Sequence, residues 1–335
     1  MSEAPRIAIS LLPVTAFLAA LILMDSFKLA PKRSVFIAMG VGAAAAAGSY
    51  GVNALLLDQA GLDARVLQRY AAPLVEELLK CLYVAHLIRS SRIGFLVDGA
   101  IYGFAVGTGF ALVENLYYLR ALEGPSLFLW IVRGFGTAVL HGSATAVFGI
   151  LSKGLSDRHG TRSPAVFLPG LGVAVFVHSF FNHFPLHPLA MTAVLLIAMP
   201  ILVAVVFQRS EAATRDWLGV GFDTDVELLE LITGGEMRGS RMGAYLRALK
   251  TRFPGPVVGD MLCLLQVHLE LSIRAKGILM AREAGLKLDP DDGVRANLEE
   301  MKFLERSVGR TGLLAVTPFL QRSSRDLWQL YMLGR

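Results

Sequence analysis

Ionisable and amide side chains interrupt four successive apolar stretches of the chain. They are, in order, Glu76, Glu77 and Lys80; Glu114 with Asn115 and Tyr118; His141; and His178 with Asn182. A charged side chain at the centre of a bilayer costs about 3 kcal/mol or more, so such residues are rare and usually functional. These positions are therefore the first candidates for a reactive site.

The residue types are those that amide hydrolysis needs. A carboxylate such as Glu76 or Glu77 can take a proton from water, and a histidine or a second carboxylate can assist the transfer. An asparagine or a protonated histidine, such as Asn182 or His178, can donate to a developing oxyanion. Alternatively, histidine and glutamate side chains could bind a zinc ion whose water becomes nucleophilic near neutral pH. The candidate zinc ligands are His141, His178 and either Glu114 or Glu77.

Each cluster alone also has a structural interpretation. The two glutamates and Lys80 could form an internal ion pair, and His141 lies beside small residues that favour helix packing. Depth argues against this interpretation. Counted at about 1.5 Å per residue, four positions fall within about 15 Å of the same membrane surface: Glu76, Glu114, His178 and Asn182. Scattered structural residues would not be expected to share a depth. The same count places His141 deeper, near mid-membrane.

The composition identifies the class of protein that holds these residues. Apolar residues make up 54% of the 335 and charged residues 18%, and the mean hydropathy is +0.54. Soluble domains carry about 25% charged residues, so the balance indicates a membrane protein. The net charge of +5 comes without a basic stripe interleaved with aromatics, which argues against a nucleic-acid partner. Two cysteines exclude a disulfide framework and a cysteine-rich zinc site.

Seven apolar segments are long enough to cross a hydrocarbon core of about 30 Å as helices. They are Ile7–Met24, Ser34–Leu57, Val66–Ile88, Ile93–Leu119, Leu127–Ser152, Pro164–Phe184 and Pro188–Phe207. The third has the lowest hydropathy because it contains Glu76, Glu77 and Lys80, but a span enclosed by other helices can hold polar groups. The pattern predicts an all-α, polytopic helix bundle.

From about residue 208 charges of both signs return, and helical periodicity persists. The periodic segments are Val226–Ile232, Met242–Leu249, Val257–Ala284 and Val294–Val308. Asp223 and Asp289 are candidate N-caps for two of these helices. We therefore expect a transmembrane domain over residues 1–207 and a cytosolic helical domain of unknown role over residues 208–335.

Cations are concentrated in the odd-numbered connections between spans. They are Lys28, Lys32 and Arg33; Arg89 and Arg92; Lys153, Arg158 and Arg162; and, after the last span, Arg209 and Arg215. By the positive-inside rule the N-terminus is outside and the region after Gln208 is in the cytosol. The expected partner around the seven spans is membrane lipid.

Four motifs occur in order, each in a successive span. They are EExxK at Glu76–Lys80, FxxxENxxY at Phe110–Tyr118, His141 with Gly149 eight residues on, and HxxxN at His178–Asn182. Together they resemble the PrsW family of intramembrane proteases, within the wider group that includes CAAX prenyl proteases and bacterial Abi proteins. The resemblance covers about residues 60–185.

The resemblance implies an endopeptidase of the bacterial cytoplasmic membrane that makes the first cut in a single-pass membrane protein, an anti-sigma factor. It implies that Glu76, Glu77 and His178 are essential, that Glu114, His141 and Asn182 complete the motifs, and that Lys80, Asn115 and Tyr118 support them. It also implies a metalloprotease, with zinc as the cofactor. Since no HExxH motif is present, water activation by glutamate and histidine without a metal stays an equal alternative.

Three other functions fit parts of the pattern. A secondary transporter would also bury ionisable groups, but the chain shows no inverted repeat. A non-catalytic binding or immunity protein would not need both Glu76 and Glu77. A CAAX-type processing protease would typically have histidine or arginine where this chain has Glu114.

Overall fold

The structure is a computed structural model, and it describes residues 3–122, 126–160, 163–288, 290–320 and 323–334. Within these ranges the regular elements are all helices and no strand is present, which confirms the all-α prediction. The chain divides into two compact units, Met1–Ser210 and Glu211–Arg335. We call them the membrane unit and the C-terminal unit.

Nine α-helices begin in the described part of the membrane unit. They are α1 (Glu3–Met24), α2 (Lys32–Asp58), α3 (Ala64–Val66), α4 (Ala72–Arg89), α5 (Leu96–Ala121), α6 (Leu127–Ile131), α7 (Ala138–His159), α8 (Leu168–His183) and α9 (Pro188–Thr233). Two π-helical segments, Leu67–Ala71 and Val132–Thr137, lead directly into α4 and α7. Such segments are rare, and they occur frequently at functional sites.

Seven helical segments of the described chain are long and apolar enough to cross a membrane, so the protein is a multi-pass membrane protein. They are Ala4–Met24, Lys32–Asp58, Leu96–Ala121, Leu127–His159, Pro164–His183, Pro188–Thr233 and Gly255–Glu283. Two members differ from the sequence prediction. The predicted third span, Val66–Ile88, is helical but carries too many charged residues to qualify. Gly255–Glu283, which we expected in a cytosolic domain, qualifies instead.

Helix α4 nevertheless belongs to the bundle, because it packs against α2, α5, α7 and α8. Its polar side chains Glu77 and Lys80 are 0% exposed, whereas Leu74, Leu78 and Leu82, spaced four apart, are exposed. Residues at this spacing share one helix face. An apolar outer face and a polar inner face explain why α4 has low hydropathy and still lies among spanning helices.

The α5–α7 contact positions two of the motifs. Helix α5 carries Gly99, Gly103 and Gly107 at intervals of four, on the face towards α7. A Cβ at Gly107 would collide with the backbone of His141, and one at Gly103 would collide with the backbone of Thr145. Small residues at this spacing let helix backbones approach closely. The glycines therefore set the distance at which α7 presents His141 to α5.

In the C-terminal unit, α9 ends and four further α-helices follow among the described residues. They are α10 (Arg241–Leu249), α11 (Gly255–Glu283), α12 (Asp292–Val316) and α13 (Ser324–Leu333). Helix α11 packs against both α12 and α13. Being enclosed from more than one side explains its apolar composition, which matches that of a spanning helix. Leu264, Leu271 and Leu279 on α11 are each at most 1% exposed.

Two details of the C-terminal prediction need correction. Asp223 does not cap a helix, because α9 continues without a break from Pro188 to Thr233. Asp289 lies outside the described residues. So does Arg162, one of the cations that we counted to predict the orientation in the membrane. The N-cap of α12 is Asp291, whose side chain accepts a hydrogen bond from the Val294 amide at 2.8 Å.

Candidate active site in the membrane unit

Glu77 on α4 is the most buried acid of the motif residues. Its Oε1 accepts hydrogen bonds from Lys80 Nζ at 2.6 Å and from His178 Nδ1 at 2.8 Å, and its Oε2 accepts one from Thr145 Oγ1 at 3.4 Å. Because an ionised carboxylate can only accept, His178 carries a proton on Nδ1, and in the neutral ring the lone pair is then on Nε2. That Nε2 atom lies 3.8 Å from Glu76 Oε2.

His141 on α7 is held in the opposite tautomer. Its Nε2 lies 2.9 Å from Glu114 Oε2 on α5, and its Nδ1 lies 3.0 Å from Lys80 Nζ. The carboxylate accepts and the ammonium donates, so the ring donates from Nε2 and accepts at Nδ1. The ring centroids of His141 and His178 are 4.8 Å apart.

This closeness contradicts the sequence expectation that His141 lies deeper than His178. The helical run that carries His141, Leu127–His159, has 33 residues and is therefore about 50 Å long. Since a hydrocarbon core is about 30 Å thick, such a run must tilt or extend beyond the core. Counting residues from one end of this helix consequently does not measure depth.

Glu76 differs from the other two glutamates in how weakly it is held. Its Oε1 lies 3.4 Å from the amide of Asn53 on α2, and its Oε2 lies 3.8 Å from His178 Nε2. Its side chain is 13% exposed, whereas that of Glu77 is 0% exposed. Glu76 is therefore the carboxylate of the cluster whose two oxygens both have only long contacts, which leaves acceptor capacity for a ligand, a water molecule or a substrate.

Glu76, His141 and His178 can hold a metal ion. Their ligand atoms lie within 4.8 Å of one another, and two histidines with one carboxylate form a known catalytic zinc set. Both histidines keep one lone pair and donate from the other nitrogen to a carboxylate, the usual arrangement around metal-bound histidines. An ion bound through His141 Nδ1 has to displace the Lys80 ammonium from that atom.

The predicted oxygen ligand therefore changes. From the sequence we expected Glu114 or Glu77, but the structure groups Glu76 with the two histidines. Glu114 is occupied by His141 Nε2 and by Arg133 Nη2, which lies 3.2 Å from the same oxygen. Glu77 is occupied by Lys80 and His178.

The two remaining residues of the α5 motif contact Arg133, which the motif analysis left without a role. Asn115 Oδ1 accepts from Arg133 Nε at 3.1 Å, and Asn115 Nδ2 donates to the Ser10 carbonyl at 2.8 Å. The Arg133 guanidinium lies over the Tyr118 ring, 3.6 Å from its centroid. The available signal was the spacing of Arg133 and His141, eight residues apart and so close to one helix face.

Asn182 is not brought into the cluster. Among the described residues its amide Nδ2 donates to the Gln68 carbonyl at 2.9 Å, and Ser179 Oγ donates to the Arg69 carbonyl at 2.5 Å. Both acceptors belong to the π-helical segment before α4. Asn182 thus ties α8 to the start of the helix that carries Glu76, and it does not line up with His178 towards a reacting group.

Comparison with known protein families identifies the family of this chain. A family model described as PrsW family intramembrane metalloprotease matches residues 30–207, which is more than half of the chain and includes all residues of the cluster. No curated protein and no solved structure matches the chain significantly. Together with the cluster on α4, α5, α7 and α8, the match shows that this chain is a peptidase belonging to the PrsW family of intramembrane metalloproteases.

Proposed function

We propose that the chain is an endopeptidase that cuts a membrane protein at the cluster of Glu76, His141 and His178. The observation that carries the proposal is the convergence of residues from α4, α7 and α8 within 4.8 Å, backed by a carboxylate on each histidine. If the cluster were only a structural ion pair, it would not need two histidine rings that are each oriented by a carboxylate.

The three carboxylates have separate roles in this proposal. Glu77 fixes His178 through Nδ1, and Glu114 fixes His141 through Nε2. Glu76 is the reactive carboxylate, because its oxygens have the longest contacts of the three. Without a metal, Glu76 takes the proton of the attacking water and returns it to the leaving amine, as a general base and then acid does.

The donor set favours a metal, and zinc suits two imidazoles and a carboxylate. When bound, zinc would polarise the scissile carbonyl and lower the pKa of a bound water molecule. Glu76, His141 and His178 would hold the ion. Lys80 is then displaced from His141 Nδ1, while its contact with Glu77 Oε1 keeps a compensating charge beside that buried carboxylate.

The motifs and the cations support the remaining details. The resemblance of the four motifs supports a single-pass, anti-sigma-factor-like substrate and a first regulatory cut, in the bacterial cytoplasmic membrane. The distribution of lysine and arginine supports an external N-terminus and a cytosolic C-terminal unit. A reporter fused after Gln208 should then report the cytosol, and an external signal there would contradict the orientation.

The test of the function is a comparison of new protein N-termini in membranes from cells that express wild type or Glu77→Gln. We expect at least one membrane protein with a new N-terminus in or near its spanning segment in the wild-type sample alone. His187→Ala serves as the matched control, because His187 contacts the Phe128 ring and lies outside the cluster. Identical sets of N-termini in wild type and Glu77→Gln would contradict the proposal.

A further inference from the structure

Arg133 binds three residues of the α5 motif at once. Its Nη2 lies 3.2 Å from Glu114 Oε2, its Nε donates to Asn115 Oδ1 at 3.1 Å, and its guanidinium stacks 3.6 Å from the Tyr118 centroid. The side chain is 12% exposed. A planar cation held by a carboxylate, an amide and a ring face is fixed in orientation as well as in position.

The oxygen that Arg133 contacts is the one that His141 uses. Glu114 Oε2 lies 3.2 Å from Arg133 Nη2 and 2.9 Å from His141 Nε2. The Glu114 side chain is 24% exposed, so without Arg133 it has room to rotate towards water. Arg133 therefore determines where the carboxylate that faces His141 lies.

We propose that Arg133 is a positioning residue that acts through Glu114 on His141. By fixing Glu114, it holds the acceptor of the His141 Nε2 proton in place and, together with Lys80 at Nδ1, keeps the ring in the tautomer whose Nδ1 lone pair can bind a ligand. Asn115 and Tyr118 act one step further out, because they orient the guanidinium. The same ion pair holds Glu114 Oε2 on Arg133 and His141, whereas both oxygens of Glu76 have only long contacts. The kinetic part of this inference rests on the proposed peptidase function.

The kinetic test compares Arg133→Met, Arg133→Lys and Arg120→Met on a substrate identified by its new N-terminus. Loss of a residue that orients a ligand or its partner typically costs about 10–100-fold, so we expect Arg133→Met to lower kcat by that factor with KM nearly unchanged. Arg133→Lys should recover part of the loss, since it restores the charge beside Glu114. Arg120, exposed near the end of the same α5 helix, is the matched control and should behave as wild type.

A double-mutant cycle tests whether Arg133 acts through Glu114. If it does, adding Arg133→Met to Glu114→Gln lowers kcat by less than about twofold further, because coupled residues are not additive. Two losses that multiply in full would show that Arg133 acts elsewhere, and the proposal would be wrong.

The third measurement does not depend on activity. Solid-state nitrogen-15 spectra of histidine-labelled protein, with His141 assigned by its loss in His141→Gln, should show in wild type the Nε2 resonance of an N–H that donates to a carboxylate. In Arg133→Met that resonance should shift towards the position of a weaker hydrogen bond, while Lys80, which still donates to Nδ1, keeps the proton on Nε2. Tyr118→Leu, which keeps the buried cation and removes the ring beneath it, should shift the resonance in the same direction by less. An unchanged His141 Nε2 resonance in both variants overturns the proposal. An inactive wild type with the expected shift of the Nε2 resonance would overturn the peptidase function and leave the role of Arg133 standing.

Discussion

Among the described residues, each unit has a close lysine–carboxylate pair in which both side chains are buried. In the membrane unit Lys80 Nζ lies 2.6 Å from Glu77 Oε1, and in the C-terminal unit Lys276 Nζ lies 2.6 Å from Asp225 Oδ2. All four side chains are at most 3% exposed. The two pairs are therefore equal in length and burial, and they differ in what surrounds them.

The C-terminal pair is surrounded by groups that complete its hydrogen bonds. Asp225 Oδ2 also accepts from Ser272 Oγ at 2.5 Å, and Gln329 Nε2 donates to Ser272 Oγ at 2.9 Å. The Lys276 ammonium lies 5.3 Å from the Trp217 ring centroid. Hydroxyl, amide and indole groups do not ionise near neutral pH and so cannot serve as general acids or bases there, which is what a structural network requires.

The membrane pair is extended by groups that can exchange protons or bind a metal. Glu77 is hydrogen-bonded to His178, and Lys80 is hydrogen-bonded to His141. Beyond these histidines lie Glu76 and Glu114, whose side chains are 13% and 24% exposed. A buried ion pair thus indicates a reactive site when it continues into titratable groups that solvent or substrate can reach.

The largest expected effect is on catalysis at the membrane pair's neighbours. Glu76→Gln and His178→Ala should each lower the rate of substrate cleavage by about 10²–10⁴-fold or more, because each removes a proton acceptor or ligand. The measurement is the initial cleavage rate by purified enzyme in lipid. The controls His183→Ala and His187→Ala should stay active. Near-wild-type cleavage by folded His178→Ala would contradict the mechanism.

A smaller expected effect is on the stability of the unit that contains each pair. Asp225→Leu alone leaves a buried lysine unpaired, so it should destabilise the C-terminal unit by about 3–5 kcal/mol, and adding Lys276→Met should restore most of the loss. Stability is measured by protease resistance of that unit in the intact protein under increasing denaturant.

The matched replacement in the membrane unit is Glu77→Leu with Lys80→Met. It should likewise preserve folding, but it should leave no detectable cleavage, because His178 and His141 both lose an oriented partner. Cleavage at the wild-type rate by this double variant would make the membrane pair structural, like its C-terminal counterpart.

The sequence predicted the bundle well because hydropathy is a local property of long segments. It also identified α4 as part of the bundle, since Glu77 and Lys80 at mid-span require surrounding helices. The sequence prediction placed α11 in a cytosolic domain, but the length and composition of this helix also fit a spanning helix, because packing against α12 and α13 and packing in lipid both select apolar residues.

The site was predictable as a set of residues but not as a set of contacts. The motifs named both histidines and all three glutamates, yet the pairing of Glu114 with His141 and of Glu77 with His178 depends on helix tilt and rotation. Depth counting failed for His141 for the same reason. Asn182 has the spacing of a site residue, but spacing did not reveal that the π-helical segment before α4 offers its amide a carbonyl.

The smallest effect concerns that asparagine. Because Asn182 donates to the Gln68 carbonyl, Asn182→Ala should remove about one hydrogen bond, worth about 1 kcal/mol, and should lower cleavage by less than about tenfold. The cleavage rates of Asn182→Ala and His178→Ala are compared under identical conditions. Equal losses in the two variants would return Asn182 to the oxyanion role that its spacing suggests.

The central claim is that the membrane unit's cluster, and not the C-terminal one, is a metal-dependent hydrolytic site. Elemental analysis of purified wild type, Glu76→Gln, His178→Ala and Asp225→Asn tests it most directly, paired with cleavage before and after chelation. We predict about one zinc per chain in wild type and Asp225→Asn, far less in Glu76→Gln and His178→Ala, and loss of cleavage on chelation that added zinc reverses. Full cleavage by metal-free wild type would contradict a metal-dependent mechanism, and Glu76 would then act as the general base.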